Sequence, residues 1–345
     1  MQQQHQPQPI DFATLERMLA DPDVPDAAVR PYLRAKREDS RPFDPQVEPD
    51  PGLVVMDETD RFRIESAIRW GNGVARFRRH RRYERRRLFG EHHLPVLVSE
   101  GDSWFQFPLL VDDVVDHLGE DHLIWSLDAA GDTARNMVVA RPEYLKGLRA
   151  RRGDGVAAFL FSAAGNDVIG EDEAGRPVLA ALLKDHRPGL DPAGHVDAAR
   201  LATVLSFLED SYRTVIAAVR NEPGFERLPI VLHGYDYGIP HGEAGDARDP
   251  GWAAKDEWLA GPMRAKGIDD PGLRRGIVRF LIDALYDMLG RVAAASTRVH
   301  VVDVRGTLTT VADWADEIHA TSAAATRVAD RFRATLRAAG VGPGA

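Results

Sequence analysis

Three residues of the types used in nucleophilic catalysis occur in chain order: Ser103, in Gly101-Asp102-Ser103, and then Asp316 and His319. A serine hydroxyl becomes a good nucleophile when an imidazole accepts its proton, and a carboxylate beside the imidazole fixes its tautomer. Residues three apart in a loop or a first helical turn can point into one pocket. The pattern therefore predicts a Ser103–His319–Asp316 triad capable of acyl transfer.

Acyl transfer also needs N–H donors that face the developing oxyanion. Asn166, in Gly165-Asn166-Asp167, can supply a side-chain N–H, and the backbone N–H groups of Ser103 and Gly131 can supply the others. Glycine suits position 131 because it lets the backbone approach a substrate closely. Short motifs of this kind are common in ordinary turns. They become informative here because each follows a predicted strand.

Apolar runs rich in β-branched residues alternate with helical patterns from residue 94 onward. Such alternation predicts an α/β fold, with a parallel sheet covered by helices on both faces. Ser103, Gly131 and Asn166 follow the first, second and third strands, so they should meet at the carboxyl edge of the sheet, where open α/β folds bind ligands. The predicted strands are 94–98, 122–127, 156–162, 228–233 and 299–304, and the main helices are 196–219, 277–292 and 322–336.

These four blocks (Gly101-Asp102-Ser103, Gly131, Gly165-Asn166-Asp167 and Asp316-x-x-His319) resemble those of the SGNH (GDSL-type) hydrolase family. The resemblance covers about residues 94–338 and implies a flavodoxin-like three-layer α/β/α sandwich with five parallel strands, within a hydrolase domain at 94–340. It implies Ser103 as nucleophile, Asp316 and His319 as its partners, and Ser103, Gly131 and Asn166 as the oxyanion hole, with no cofactor.

The chain departs from that family in two places. Ala320 stands where many members have proline after the histidine, and the stretch between Asn166 and Asp316 is long. The nucleophile also lacks a Gly-x-Ser-x-Gly elbow, which argues against an α/β-hydrolase proper.

Residues 234–273 break the regular pattern with aromatic residues among many Gly, Pro and Asp residues. A long irregular loop within a compact domain is often a lid or binding loop. Because it starts at the carboxyl end of the fourth strand, we expect it to lie over the site. The predicted substrate-binding residues are Trp104, Tyr235, Asp236 and Tyr237.

A metal site formed by His233, Asp236 and His241 is an alternative for this region. Histidines at a strand end and in a loop more often make ordinary hydrogen bonds. We therefore predict no metal.

The first ninety or so residues lie outside the resemblance. Residues 1–58 are rich in proline and predict an extended or disordered arm, with a short helix capped by Asp11. Residues 59–93 predict an amphipathic helix whose polar face carries many arginines between Arg61 and Arg87. These arginines either bind an anionic partner or pair with acidic residues of the same chain.

Composition limits the remaining possibilities. The 345-residue chain has 44% hydrophobic residues, a net charge of −9 and no cysteine. Disulfides and thiolate metal sites are thereby excluded, and the charge disfavours bulk nucleic-acid binding. The start lacks a secretory signal, and no apolar run approaches the roughly 20 residues that span a bilayer. We expect a cytoplasmic protein.

The predicted function is hydrolysis of a small-molecule, lipid or sugar ester through an acyl-serine intermediate. Two alternatives remain open at this point. One is a binding or targeting protein that uses the arginine-rich helix, with the hydrolase fold as scaffold. The other is an acyltransferase that uses the same site.

Overall fold

The computed structural model describes residues 7–41, 43–66, 70–172, 174–249, 251–253 and 257–342. Its N-terminal segment is more regular than the prolines suggested, and it contributes to a small apolar core shared with the arginine-rich region. Asp11 caps the first helix by accepting the Thr14 N–H. The elements of this segment are β1 (Ile10–Asp11), α1 (Phe12–Ala20), α2 (Asp26–Val29), β2 (Leu33–Ala35), β3 (Val47–Pro49) and β4 (Val54–Val55).

Two short sheets hold the segment together: β1 pairs with β4 in parallel, and β2 pairs with β3 in antiparallel orientation. The arginine-rich region forms α3 (Glu58–Ser66) and α4 (Trp70–Leu88). Residues 67–69 of the predicted amphipathic helix fall outside the described residues. Gly71 lets α4 approach the arm, because a Cβ at that position would lie 2.9 Å from the Val47 Cβ.

Five parallel strands form the main sheet, as predicted. They are β5 (Val96–Gly101), β6 (Leu123–Ser126), β7 (Val156–Ser162), β8 (Ile230–His233) and β9 (Val299–Val302). The spatial order is β6-β5-β7-β8-β9, which is the flavodoxin-like order. The predicted α/β class is confirmed, with strand ends that differ from prediction by up to three residues.

Helices cover both faces of the sheet. They are α5 (Val114–Leu118), α6 (Tyr144–Arg151), α7 (Gly165–Val168), α8 (Val178–Leu182), α9 (Ala198–Asn221), α10 (Ala260–Ala265), α11 (Pro271–Ala294) and α12 (Ser322–Ala338). Helix α11 begins earlier than predicted because Asp270 caps it and Pro271 occupies its first turn. The irregular stretch 234–273 therefore contains one short helix and the start of a long one.

The strands are buried on both sides and supply a continuous apolar core with α9, α11 and α12. A second cluster lies beneath the aromatic stretch and includes Trp252, Trp258 and Phe43. Of the helices in the described ranges, none is both long and apolar enough to cross a bilayer.

Candidate active site

Ser103 lies in the tight turn that follows β5. Asp102 closes this turn, because its carbonyl oxygen accepts the Phe105 N–H at 3.0 Å and its side chain accepts the Trp104 N–H at 3.1 Å. Gly101 is needed at the start of the turn, since a Cβ there would lie 2.5 Å from a ring carbon of Phe105. The turn thus holds the serine side chain at the carboxyl edge of the sheet.

Ser103, His319 and Asp316 form one hydrogen-bonded series. Ser103 Oγ lies 2.8 Å from His319 Nε2, and His319 Nδ1 lies 2.7 Å from Asp316 Oδ2. When Nδ1 donates to the carboxylate, Nε2 is the nitrogen that accepts the hydroxyl proton. This arrangement has the geometry that base-assisted nucleophilic attack requires.

Asp316 is buried among N–H donors. Trp252 Nε1 donates to Oδ2 at 3.0 Å, and the backbone N–H groups of Ile318 and His319 donate to Oδ1 at 2.8 and 2.6 Å. Burial alone would raise the pKa of Asp316, but the charge of His319, its ring N–H and the two backbone N–H groups outweigh it and hold the pKa below its usual range. Asp316 is therefore kept as a carboxylate beside the imidazole.

Glu317, the next residue, ties the aromatic stretch to the triad. Its buried carboxylate accepts the backbone N–H groups of His241, Leu259 and Ala260 at 2.6, 2.5 and 3.0 Å. Burial raises the pKa of Glu317 to about 7, although the three N–H donors act in the opposite direction. Its position therefore couples the long loop to the loop that carries Asp316.

The predicted oxyanion residues lie on the two loops beside the Ser103 turn, because β6 and β7 flank β5. Asn166 Nδ2 donates to the Asp132 carbonyl oxygen at 2.7 Å, which joins these two loops. Gly131 has φ +83°, a left-handed conformation that favours glycine. The other N–H of Asn166 Nδ2 and the backbone N–H groups of Gly131 and Ser103 are the candidate oxyanion donors.

The Tyr235 hydroxyl is hydrogen-bonded to both the Ser103 turn and the Asn166 turn. Its hydroxyl donates to Asp102 Oδ2 at 2.5 Å and accepts the Gly165 N–H at 2.8 Å. Burial raises the pKa of Asp102 to about 7, against the lowering effect of the Tyr235 hydrogen bond. Tyr235 holds this bridging position in the structure, and its predicted contact with substrate stays a prediction.

Helix α4 braces the same loops through Asn72. The Asn72 side chain accepts the Ala130 N–H at 2.9 Å and donates to the Ala130 carbonyl oxygen at 3.0 Å. Gln106 Nε2 donates to Asn72 Oδ1 at 3.0 Å. Asn72 therefore links the segment after Ser103 to the residue that precedes Gly131.

Arg79, two turns further along α4, acts in a similar way. Its guanidinium donates to the Phe105 carbonyl oxygen at 2.7 Å, to Asp113 at 2.6 Å and to Asp116 at 3.1 Å. Burial would lower the pKa of Arg79, but the neighbouring carboxylates outweigh it and raise that pKa. A charged arginine thus fixes the loop between Ser103 and α5.

Other arginines of α4 also pair within the chain. Arg78 and Arg82 share Asp26, at 2.7 and 2.5 Å. Ion pairs of this helix among the described residues also include Arg76–Glu143, Arg85–Asp23, Arg86–Glu91 and Arg87–Asp154. These contacts favour the intrachain interpretation of the basic face, and an anionic partner stays a prediction.

Two of the predicted substrate-binding residues have partners elsewhere. The Asp236 carboxylate accepts the Gly306 N–H at 2.6 Å, and the Tyr237 hydroxyl donates to Asp283 on α11 at 2.7 Å. Trp104, in contrast, is buried next to Ser103, and both residues line a cavity of about 20 Å³. Of the tyrosine and tryptophan positions predicted for substrate, Trp104 is the one placed beside the nucleophile.

The three residues of the alternative metal site have separate partners. His233 Nδ1 lies 3.0 Å from Ser162 Oγ, and burial lowers the pKa of His233 to about 3. His241 Nδ1 lies 3.1 Å from Asp246. The Asp236 carboxylate accepts the Gly306 N–H, so each of the three residues has its own hydrogen-bond partner.

Several site residues were missed by sequence reasoning: Asn72, Arg79, Trp252 and Glu317. The only local signal for Asn72 was its position between two glycines in Gly71-Asn72-Gly73. Buried polar residues on an arginine-rich helix cannot be separated from solvated ones by periodicity alone.

The chain is similar in structure to several solved proteins with which it shares little sequence identity. No family model matches the chain, and no curated protein matches it. A protein from Slackia heliotrinireducens, named as a candidate SGNH hydrolase, has 12% identity and a TM-score of 0.39, covering 70% of this chain and 98% of that one.

Two further solved structures are similar. A candidate acylhydrolase from Bacteroides fragilis has 14% identity and a TM-score of 0.40, with 78% of this chain and 97% of that one covered. The salicylyl-acyltransferase SsfX3 from a tetracycline biosynthetic pathway has 12% identity and a TM-score of 0.37, with 72% and 56% covered. Similarities of this size carry no information on activity, so the proposals below rest on side-chain geometry.

Proposed function

We propose that this chain is an SGNH-type serine ester hydrolase. The single observation that carries the proposal is the series from Ser103 Oγ through His319 to Asp316, with steps of 2.8 and 2.7 Å. Both distances lie within the range that proton transfer to a general base requires. The placement of Gly131 and Asn166 in the segments that follow β6 and β7, on either side of the Ser103 turn, supports the same assignment.

The reaction would proceed in two halves. His319 Nε2 takes the Ser103 proton as Oγ bonds to the ester carbonyl carbon, and the N–H groups of Ser103, Gly131 and Asn166 stabilise the resulting oxyanion. Collapse breaks the bond between the carbonyl carbon and the alkoxy oxygen. The leaving alcohol receives its proton from His319.

The second half releases the acid. A water molecule gives a proton to His319 Nε2 and adds to the acyl carbon, and the tetrahedral species then breaks its bond to Ser103 Oγ. The proton on His319 returns to Oγ, so that the enzyme is regenerated. Asp316 keeps the imidazole in the required tautomer throughout both halves and stabilises its charged form.

The test is a hydrolysis assay with 4-nitrophenyl acetate, butyrate and octanoate. We expect the wild-type chain to hydrolyse at least one of them, and the Ser103→Ala variant, with unchanged circular dichroism, to lose the activity. Activity retained in Ser103→Ala would refute the assignment. Product analysis with added alcohols distinguishes hydrolysis, which gives the free acid, from acyl transfer, which gives a new ester.

The alternative of a binding protein depends on free positive charge along α4. The ion pairs of Arg76, Arg78, Arg82 and Arg85 with acidic residues of the same chain reduce that charge. The Arg78–Asp26 pair is buried, and such a pair cannot be exchanged for an external anion without loss of stability. Salt-sensitive retention on heparin would nevertheless support a binding role.

A further inference from the structure

The proposed nucleophile and its base are buried, and the N-terminal segment packs against the base. Ser103 is only 1% exposed, and His319 is also buried. The residues of that segment beside His319 and the oxyanion loops are Phe43 and Asp44, here called the arm tip, which lie in the connection between β2 and β3. An ester must reach Ser103 Oγ to within bonding distance, which the buried position of Ser103 prevents in this arrangement.

Phe43 packs directly against two parts of the site. Its ring meets the His319 ring edge to face, with centroids 5.4 Å apart. Its Cε1 atom lies 3.0 Å from the position that a Cβ of Gly165 would take, so the ring also covers the residue before Asn166. The Phe43 side chain is 1% exposed and fills the space beside the imidazole.

Asp44 covers the other oxyanion loop. Its carboxyl carbon lies 2.8 Å from the position that a Cβ of Gly131 would take. The backbone of Asp44 exchanges two hydrogen bonds with Arg41, at 3.2 and 3.0 Å, which closes the turn. One turn of the arm therefore touches His319, Gly165 and Gly131.

Phe43 has a strained backbone, and the ion pairs of the connection that carries it are exposed. Phe43 has φ +61°, a left-handed conformation that a bulky side chain rarely adopts and that its contacts must offset. Two ion pairs join the same connection to the rest of the chain: Arg37 with Asp249 at 3.3 Å and Arg41 with Glu171 at 3.8 Å. Both arginines are largely exposed, so these pairs add little stability.

A larger space adjoins the connection that carries the arm tip. A cleft of about 750 Å³ lies between Arg37, Ser40 and Arg41 on one side and Trp258 and Pro262 on the other. Trp258 also lies 6.1 Å from the His319 ring, so the cleft reaches the neighbourhood of the triad. The cavity that Ser103 itself lines measures about 20 Å³, which is too small for an ester.

We infer that Phe43 is an access- and specificity-determining residue, and that the arm tip must leave His319 before an ester held in the cleft can reach Ser103. This inference rests on the proposed function for its biological meaning. Withdrawal of Phe43 frees the space beside His319 and Gly165 that the substrate then occupies. Local opening of a weakly anchored segment requires no global unfolding.

The absence of cysteine from the chain permits a test that does not depend on catalysis. In the Ser103→Cys variant, the only thiol lies at the covered position, and its rate of reaction with iodoacetamide measures access. We expect the Ser103→Cys/Phe43→Ala variant to react at least about 10-fold faster than Ser103→Cys, since the rate follows the accessible population. Phe43→Leu, which keeps most of the side chain, should give an intermediate rate.

Leu179 provides the matched control, because it is buried in the same apolar cluster as Phe43 but lies on α8. Ser103→Cys/Leu179→Ala should react as slowly as Ser103→Cys, and circular dichroism checks that each variant is folded. Equal rates with and without the Phe43 ring, or equal acceleration by Leu179→Ala, would overturn the inference.

The ester panel separates this inference from the proposed function. In an otherwise native chain, Phe43→Ala should raise kcat/KM more for the octanoate than for the acetate. Accelerated thiol labelling without any ester hydrolysis would refute the function and leave the access role intact. Ester hydrolysis with unchanged thiol labelling would refute the access role alone.

Discussion

Asp316 holds His319 at two points. Its Oδ2 atom lies 2.7 Å from the ring Nδ1, and its Oδ1 atom accepts the backbone N–H of the same histidine at 2.6 Å. The ring is thereby fixed both in tautomer and in position along the backbone. Trp252 Nε1 also donates to Oδ2 at 3.0 Å, so a residue of the aromatic stretch helps to hold Asp316 in the proposed triad.

Asp316→Asn should therefore lower kcat strongly without unfolding the chain. The amide would favour the wrong imidazole tautomer, and the expected loss is on the order of 10⁴-fold. Steady-state kinetics on the best 4-nitrophenyl ester measures it. Asp330→Asn, at an exposed position of α12, is the control and should retain wild-type kcat. A loss below about 10-fold in Asp316→Asn would contradict the assigned role.

Asn166→Ala should lower kcat by about 10²- to 10³-fold with a small change in KM, because one oxyanion donor is removed. Asn136 offers a matched control, since its side chain also donates to Asp132, at 2.5 Å, but has no proposed oxyanion role. We expect Asn136→Ala to lose much less activity. Equal losses in the two variants would indicate that Asn166 acts only through the Asp132 loop.

Asn72→Ala tests whether α4 positions the oxyanion loop. Loss of the two Ala130 hydrogen bonds should shift Gly131, and we expect kcat to fall about 10- to 100-fold while KM changes little. The exposed Arg81 on the same helix gives the control variant Arg81→Ala. A lower melting temperature with unchanged kcat would show that Asn72 has only a structural role.

Glu317→Gln tests the buried carboxyl group beside the triad. The pKa of Glu317 rises from 4.5 to about 7 on folding. The raised pKa adds a contribution on the order of 3 kcal/mol to the free energy of unfolding. This contribution is fully present below pH 4.5 and is lost as the pH rises to about 7. Across this range the wild-type free energy of unfolding should therefore fall relative to that of Glu317→Gln.

Urea unfolding at several pH values between 4.5 and 8 measures this difference. The control is Glu38→Gln, at an exposed position, whose curve should run parallel to that of the wild type. If the Glu317→Gln and wild-type curves were also parallel, the raised pKa of Glu317 would be refuted.

The sheet was predictable because its strands are buried on both faces and appear as apolar runs separated by helical patterns. The predicted third strand, 156–162, has the observed bounds, whereas the first strand begins at Val96 rather than at residue 94. The proximity of Ser103, Gly131 and Asn166 followed from strand ends alone. Their distances to one another depend on loop hydrogen bonds that no local pattern encodes.

The contribution of the N-terminal region was not predictable for a physical reason. Asn72 and Phe43 act through contacts with residues distant in sequence, such as Ala130 and His319. Periodicity identifies which face of a helix is apolar, but it does not identify a polar residue buried against a loop. The positive φ of Phe43 also runs against its local preference, so only the tertiary environment can explain it.

The most direct measurement is the intact mass of the chain after reaction with a fluorophosphonate, followed by peptide mapping. We predict one adduct per chain, located on Ser103, with strongly reduced labelling in His319→Ala and none in Ser103→Ala. A chain that stays unlabelled while it hydrolyses esters, or an adduct located on another residue, would contradict the account.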